Sequence, residues 1–195
     1  KKNERSLARQ IQKKQRQIAA FDKEIQRLIR AAIAASNKAS AGKDKAVFTL
    51  TPEAQLIGKN FTANKGKLPW TVEQGVVTLG FGKQTHPVVK TTKIQSNGVT
   101  IATPGNAKVR SVFKGKVMQV FSFKGSNPGV LIQHGNYITS YSNLSAVYVK
   151  KGETIDAKQA IGEVFTHPSS GKSELKFSVF QNTTPVNPKS WVYRM

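Results

Sequence analysis

A series of short apolar segments, spaced about ten residues apart, is the feature that most limits how this chain can fold. The segments begin at Val72, are rich in β-branched and aromatic residues, and are separated by Gly, Asn or Pro. This pattern is typical of strands joined by hairpins. The sequence therefore predicts a mainly β, antiparallel domain over residues 68–195.

The first 35 residues follow a different period. Apolar residues alternate four and three apart from Leu7 to Ala32, with one polar interruption at Lys14, as in the heptad repeat of a coiled coil. We predict a long coiled-coil helix over residues 1–35. Its apolar seam would pack against a preceding helix, a second copy of the chain, or the β-domain itself. Because the chain starts inside this pattern without a Met, we expect it to be a fragment of a longer protein.

Residues 36–67 read as a linker with one short helix. The stretch 36–46 is small, polar and charged, which indicates a flexible connection. Thr51 followed by Pro52 predicts a helix that begins there and ends near Phe61, since Thr is a favoured N-cap and Pro is favoured at the first helical position.

Composition limits the partners. The net charge of +21 attracts polyanions. Residues 1–45 carry 13 Lys and Arg against 4 acids, and residues 46–195 carry 18 against 6, so the charge is diffuse. No zinc-finger, RNP or helix-turn-helix pattern accompanies it, and we expect no specific nucleic-acid binding. The absence of Cys excludes disulfides and thiolate metal sites.

The titratable residues do not form a recognisable catalytic or metal-binding set. His86, His134 and His167 stand alone, and none has a second His at a spacing that would place both on one face of a strand or helix. The few acids after residue 45 form no dyad. We therefore expect no metal, no cofactor and no catalytic residue in this chain.

The order of the β-segments resembles the lysostaphin/LytM family of zinc endopeptidases over about 120 residues. The resemblance rests on an FG turn at Phe81, a G-V-x-I strand at Gly98, an HG turn at His134, and Tyr141 placed three residues before a Leu. The closing F-x-V-F and N-P-x-x-W strings complete it. It implies a β-domain with a groove, and places Phe81 and Tyr141 beside that groove.

The zinc-binding and catalytic positions of that family have all changed here. Active members carry a His-x-Gly-x-Asp, a His-x-His and one more catalytic His. The corresponding residues are Ser96, Thr100, Asn143, Glu174 and Lys176. Because this set cannot supply a converging group of zinc ligands, the resemblance implies a non-catalytic domain that binds a partner in its emptied groove. Since residues two apart on a strand share one face, we also hypothesise a charge pair between Glu174 and Lys176.

The string EAQLIGKNFTANKGKLPW before the β-domain resembles the murein hydrolase activator EnvC family. This resemblance implies a periplasmic protein, held near the inner membrane by a partner, that activates a zinc-dependent peptidoglycan amidase in cell division. Its coiled coil would couple to an ABC-transporter-like division complex, and peptidoglycan is a further partner of the domain that the resemblance implies. In this family a segment between coil and domain can lie in the groove and restrain the activator.

We expect residues 36–62 to be that restraining segment, with Leu56, Ile57 and Phe61 as its apolar anchors in the groove. The alternative is that the short helix packs permanently on the β-domain. For function, the main alternative to an activator is a non-catalytic peptidoglycan-binding module. An active zinc endopeptidase with displaced ligands and a general polyanion binder are further alternatives.

Overall fold

The structure, a computed structural model, describes residues 2–39, 46–86, 89 and 92–195, with the backbone alone at residues 2–5 and 39. It contains two α-helices, α1 (Lys2–Ala39) and α2 (Pro52–Ala63). The predicted long helix is confirmed and continues four residues past its expected end. Residues 40–45 of the expected flexible connection lie outside the described residues. Within the described part of the chain, neither helix is long and apolar enough to cross a membrane.

The rest of the described chain is built from short strands, as the sequence predicts. The strands are β1 (Val76–Leu79), β2 (Gly82–Thr85), β3 (Lys93–Ser96), β4 (Val99–Thr103), β5 (Lys108–Arg110), β6 (Gly115–Phe121), β7 (Gly129–His134), β8 (Tyr137–Ser142), β9 (Leu144–Val147), β10 (Thr154–Ile155), β11 (Ala160–Val164), β12 (Ser173–Gln181) and β13 (Thr184–Val186). A 3₁₀ turn (Pro188–Ser190) follows β13.

The strands form one large sheet and two small ones, and every paired strand is antiparallel to its neighbours. The large sheet has the order β1-β4-β12-β8-β7-β6-β10, with β13 paired to β12. A three-stranded sheet has the order β5-β11-β9, and β2 pairs with β3 in a separate hairpin. Apolar residues from the large and the three-stranded sheet share one buried core. Alternation along β8 and β12 therefore leaves the opposite face of the large sheet for other contacts.

The helix α2 is part of this main core. Thr51 caps its N-terminus by accepting a hydrogen bond from the backbone N–H of Ala54 at 3.3 Å. Phe61 near its end is fully buried. Its ring stacks on His134 and on Tyr137, with centroids 4.9 Å apart in both cases. The short helix thus belongs to the β-domain as a structural element.

The helix α1 lies on the other face of the large sheet. Its deepest side chains, Ile25, Ile29 and Ile33, are at most 3% exposed and pack against four apolar residues of the sheet. Those sheet residues are Phe121, Leu131, Ile138 and Phe180. Of the seam alternatives left open by the sequence, the structure shows contact with the β-domain.

The buried stripe of α1 departs from the heptad pattern. The heptad places Leu28 and Ala32 in the seam after Ile25, whereas Ile29 and Ile33 are more deeply buried. A helix of 3.6 residues per turn drifts from a strict 3.5-residue repeat unless it supercoils around another helix. Successive steps of four residues keep this stripe facing the sheet.

Both ends of α1 are also attached to the β-domain side of the molecule. Near the start, Ile11 packs with Val89 and Ile94 at the β2–β3 hairpin. Near the end, the Asn37 side chain accepts a hydrogen bond from the Thr49 backbone N–H at 3.1 Å. The helix therefore spans the whole width of this face.

Candidate functional site

The candidate site is a groove on the face of β4, β12 and β8 that α1 covers. Direct cross-strand pairing places Thr100, Lys176 and Ser142 in one row across the three strands. Ser178 and Ser140 form the next row. The groove floor is therefore polar where the β12 strand crosses it, and it becomes apolar further along, towards Phe180 and Ile138.

Gly98 fixes the close approach of the loop before β4 to this floor. A Cβ atom at Gly98 would lie 2.1 Å from the Ser178 hydroxyl oxygen and 2.3 Å from the Phe177 carbonyl oxygen. No side chain fits in that space. The turn from Ser96, the last residue of β3, through Asn97 is consequently held at the edge of the groove.

The side chains at two of the five changed positions form local hydrogen bonds. The Ser96 hydroxyl donates to the Gly98 carbonyl at 2.9 Å. The Asn143 side chain donates to the Glu174 carbonyl at 2.6 Å and accepts from the Asn127 side chain at 2.7 Å. Asn143 has a positive φ of 73°, a conformation that Asn tolerates better than most residues. These side chains stabilise the loops of the domain.

Lys176 carries the main charge of the groove and meets α1 directly. Its ammonium lies 5.8 Å from the centre of the Phe21 ring, within the range of a cation–π contact. Burial lowers the pKa of Lys176, and the neighbouring Asp22 carboxylate opposes this shift by favouring the charged form. More than a third of the Lys176 residue nevertheless remains accessible to solvent.

Asp22 of α1 is the acidic partner in this contact. Burial raises the pKa of Asp22 to about 6, while the Lys176 charge and a hydrogen bond with Asn97 act in the opposite direction. The hypothesised direct pair between Glu174 and Lys176 is not among the ion pairs of the described residues, which are Arg27–Glu24 and Arg110–Glu73. Of the two acids that act on Lys176, Asp22 of α1 affects the pKa of Lys176 more strongly than Glu174 does.

The structure brings together three of the five changed positions. Ser96, Thr100 and Lys176 line the groove, as do Ile18, Phe21, Asp22 and Ile25 of α1. Glu174 and Asn143 are joined to each other and are absent from the described lining residues.

The two expected groove neighbours lie elsewhere. Tyr141 points into the main core, where its hydroxyl accepts a hydrogen bond from the Val112 backbone N–H at 3.0 Å. It faces the opposite side of β8 from Ser140 and Ser142, because successive side chains alternate between the two faces of a strand. Phe81 is likewise not among the described residues that line the groove.

The expected placement of the restraining segment is corrected by the structure. Leu56 is 60% exposed, Ile57 is half-buried and is not among the described residues that line the groove, and Phe61 lies in the main core, so none of the three anchors a segment there. The helix α1 occupies that position instead. The physical reason is the greater apolar length of α1, which matches the apolar half of the groove with Ile25, Ile29 and Ile33.

Asp22 was difficult to identify as a groove residue from the sequence. It follows Phe21 on a helix rich in Lys and Arg, and an acid directly beside the apolar seam was the available signal. The hydroxyl residues Ser140, Ser142 and Ser178 were also missed, because serines on a strand are common on solvated faces.

The chemistry of the groove does not fit a zinc ion. Ser96 is committed to a backbone carbonyl, and Lys176 places a positive charge in the same groove. Zinc sites in proteins are built from Cys, His, Asp or Glu. Among the described residues, no group of three or more such side chains is arranged to hold a metal. The arrangement can instead hold a helix that presents an aromatic ring, a carboxylate and aliphatic side chains.

Comparison with known proteins identifies the domain. Residues 94–188 match the model of Peptidase family M23. Among curated proteins, the chain is 32% identical over 113 residues to peptidoglycan DD-endopeptidase ShyB of Vibrio cholerae, an alignment that covers 57% of this chain and 26% of ShyB. The chain spans only about a fifth to a quarter of the length of the curated relatives it matches.

Solved structures agree with this assignment. Helicobacter pylori Csd3 is 27% identical with a TM-score of 0.55, over 66% of this chain and 35% of Csd3. A zinc-containing peptidase from Vibrio cholerae is 28% identical with a TM-score of 0.55, over 64% of this chain and 40% of that protein. The β-domain has the fold of these proteins.

Proposed function

We propose that this chain, whose β-domain is a peptidase M23 (LytM-type) domain, is a non-catalytic activator of a peptidoglycan amidase. In this proposal the groove binds the partner enzyme, and α1 keeps the groove covered until it is displaced. The observation that carries the proposal is the seating of α1 on the same face as Ser96, Thr100 and Lys176.

The residue types support a binding role over a hydrolytic one. A lysine at the centre of the groove repels a metal cation, and the hydroxyl and amide groups around it are weak ligands for zinc. A lysine beside apolar residues can accommodate a helix that carries an acid, since the Lys176 charge offsets part of the cost of burying Asp22. The amidase would therefore compete for the groove with an amphipathic segment of similar chemistry.

The relatives support a place in peptidoglycan metabolism. ShyB and ShyA of Vibrio cholerae are named peptidoglycan DD-endopeptidases. We extend to this chain the cell-wall setting of these relatives, and with it an extracytoplasmic location in the periplasm. A division-linked membrane complex of the ABC-transporter type would be the partner that pulls on α1.

The energy needed for such a restraint is modest. Holding 99% of the molecules closed takes about 2.7 kcal/mol. Burial of one large aliphatic side chain contributes roughly 1.5–3 kcal/mol. The three buried isoleucines of α1 are therefore sufficient for the closed state, and a partner that replaces their contacts can open it.

The test is a reconstituted assay with dye-labelled peptidoglycan and amidases from the same cell. Three forms of the chain are compared: the full chain, a form lacking residues 1–45, and the full chain with Ile29→Asp. The last two expose the groove and are expected to activate an amidase at least tenfold more than the full chain. Residues 46–62 are kept because Phe61 belongs to the main core.

The outcomes separate the competing functions. Dye release by the chain and zinc without any amidase would establish a peptidase and overturn the proposal. Retention on purified peptidoglycan without effect on any amidase would instead favour the peptidoglycan-binding module. Equal activation by all three forms would show that α1 is not the restraint.

A further inference from the structure

A second depression lies beside the covered groove, between α1 and the β2–β3 hairpin. Its volume is about 350 Å³. The helix contributes Gln12, Gln15 and Arg16 to its walls, and the hairpin contributes Lys83, Lys93 and Gln95. We call this depression the hairpin cleft. It is distinct from the groove, since the two share none of their described lining residues.

The hairpin cleft concentrates uncompensated positive charge. Arg16, Lys83 and Lys93 line it, and none of its described lining residues is acidic. Lys83 lies directly opposite Gln95 in the hairpin, and Lys93 is two residues from Gln95, so all three share one face of the hairpin. An anion bound in the hairpin cleft would be attracted by all three cations. In the groove, by contrast, Lys176 already faces Asp22.

The neutral residues of the hairpin cleft favour a ligand with hydroxyl and amide groups. Glutamine side chains both donate and accept hydrogen bonds, and the cleft contains three of them. One, Gln15, already accepts a hydrogen bond from the Gln95 backbone N–H at 3.0 Å, which fastens α1 to the strand edge. Amides combined with cations suit an acidic sugar, whose carboxylate binds Lys or Arg while its hydroxyl and acetamido groups bind the amides.

We infer that the hairpin cleft is a binding site for a carboxylate-bearing saccharide, and that its ligand stabilises the covered state of the groove. Because α1 supplies three of the eight described lining residues, the site is complete only when α1 is docked. A ligand that binds one state better than the other shifts the population towards that state. The saccharide and the amidase therefore act in opposite directions on the same helix.

The proposed function supplies a source for this ligand, and this part of the inference rests on it. An amidase that hydrolyses the amide between a glycan carboxyl group and a peptide breaks one C–N bond. Water supplies the hydroxyl to the carbonyl carbon and a proton to the amine. Each cleavage thus leaves a free carboxylate on the glycan, and the accumulating product would return the activator to its covered state.

Binding to the hairpin cleft is measured by calorimetry on the full chain, without any amidase. The probe is a peptide-free tetrasaccharide of alternating N-acetylglucosamine and N-acetylmuramic acid. The matched control is the N-acetylglucosamine tetramer, which has the same backbone without carboxylates, and inorganic pyrophosphate tests for a general anion site. We expect saturable binding of the acidic tetrasaccharide, at least tenfold tighter than either control.

Variants locate the site. The double variant with Lys83→Gln and Lys93→Gln is expected to weaken binding at least tenfold. Lys189→Gln, an exposed lysine of the 3₁₀ turn outside the cleft, is expected to leave it unchanged. Ile29→Asp, which undocks α1 but retains every residue of the cleft, is expected to abolish binding.

Three results would overturn the inference: equal binding of pyrophosphate and the tetrasaccharide, equal loss in the Lys189→Gln variant, or full binding by the Ile29→Asp variant. Each would show a general polyanion surface or a site independent of α1. None of these results bears on amidase activation, which is measured separately. A failure of the proposed function would conversely leave the binding data intact and remove only the source of the ligand.

Discussion

Two helices pack on the same β-domain in different ways. The α2 helix inserts one aromatic side chain, Phe61, into the main core, where it meets His134, Tyr137, Phe113 and Trp191. The α1 helix lays a row of aliphatic side chains on the outer face of the sheet and crosses a partly polar groove. The first contact completes the domain, whereas the second covers a surface that is already folded.

The difference indicates how the two helices respond to competition. Removing α2 would open the main core, so its contact is tied to the stability of the domain. Removing α1 exposes a groove with a hydroxyl-lined floor and a lysine. Water or another helix can form hydrogen bonds with these polar groups. Under the proposed function, the contact that a partner would replace is thus that of α1, which has polar groups at its centre.

The largest expected effect is on the contact of α2. Phe61→Ala should lower the free energy of unfolding of the β-domain by about 3–5 kcal/mol, because it removes a fully buried ring and leaves a cavity. Denaturant unfolding followed by tryptophan fluorescence measures this change. Leu56→Ala on the same helix is the control, and should change stability by less than about 0.5 kcal/mol because Leu56 is largely exposed. Similar losses for both variants would contradict the comparison.

The second prediction concerns α1. Ile29→Ala should weaken docking of α1 by an amount at the lower end of about 2–5 kcal/mol, while the β-domain stays folded. Because the chain has no Cys, spin labels at Lys23→Cys and Lys124→Cys report docking directly. The expected result is a new population of long distances.

Leu7→Ala is the matched control for Ile29→Ala, since Leu7 is more than a third exposed and lies on the same helix. Cooperative unfolding of the whole domain by Ile29→Ala would show that α1 is as integral as α2. The distinction between the two helices would then be lost.

The third prediction uses the buried histidine beneath Phe61. His134 is fully buried, with its ring nitrogens 2.7 Å from the Lys114 carbonyl and 2.8 Å from the Thr139 hydroxyl. Burial lowers the pKa of His134 from 6.5 to about 4. Between about pH 6.5 and 4, the unfolded chain therefore binds a proton at this residue that the folded domain does not bind. The free energy of unfolding consequently falls as the pH is lowered through this range.

The expected loss is at most about 3 kcal/mol, from roughly 1.4 kcal/mol per pKa unit. Urea unfolding at pH 7.5 and pH 4.5 measures it. His134→Gln should remove most of this acid sensitivity, whereas His167→Gln should retain it because His167 is exposed. Identical pH profiles for the two variants would contradict the assignment.

The smallest expected effect is the pH dependence of α1 docking. The raised pKa of Asp22 means that docking is strongest when its carboxyl is protonated, and weakens as pH rises from about 4 through 6. Lys176 and Asn97 favour the ionised form of Asp22 and so keep the change small, while Lys14 and Glu174 act on Lys176. We expect a loss of about 1 kcal/mol between pH 4.5 and 7.5, since Asp22 is partly accessible.

The spin-label distances described above measure this dependence. In the Asp22→Asn variant the distribution should no longer change with pH over this range. A wild-type distribution that tightens as the pH rises would reverse the sign and refute the prediction.

The sequence was sufficient for the elements but not for their arrangement. Thr51, Pro52 and the strand pattern are local signals, and each predicted element is present in the structure. The position of Phe61 was not determined by its helix, because an apolar residue on a short helix fits a groove or a core equally well. Its aromatic neighbours lie more than 50 residues away along the chain.

The five changed positions show the same limit. Residue identity was enough to argue that Ser96 and Lys176 do not bind zinc. It was not enough to identify Asp22 as the acid that faces Lys176, because the two are over 150 residues apart. The hypothesised Glu174–Lys176 pair relied on strand alternation. Alternation predicts that the two side chains share one face, but it does not predict that Asp22 of α1 approaches Lys176 from above that face.

The apolar stripe of α1 has a consequence for how a signal reaches the groove. Ile18, Phe21 and Ile25 belong both to the heptad seam and to the lining of the groove, so a helix that paired along the seam would have to bury the same side chains. Docking in the groove and pairing with another helix are therefore mutually exclusive states of one surface. Under the proposed function, a partner that never touches Lys176 or Ser142 would uncover them by binding α1 alone, and its concentration and affinity would set how many molecules are open. A signal would then reach the groove through competition for the apolar stripe of α1, and the helix would not need to act as a rigid lever.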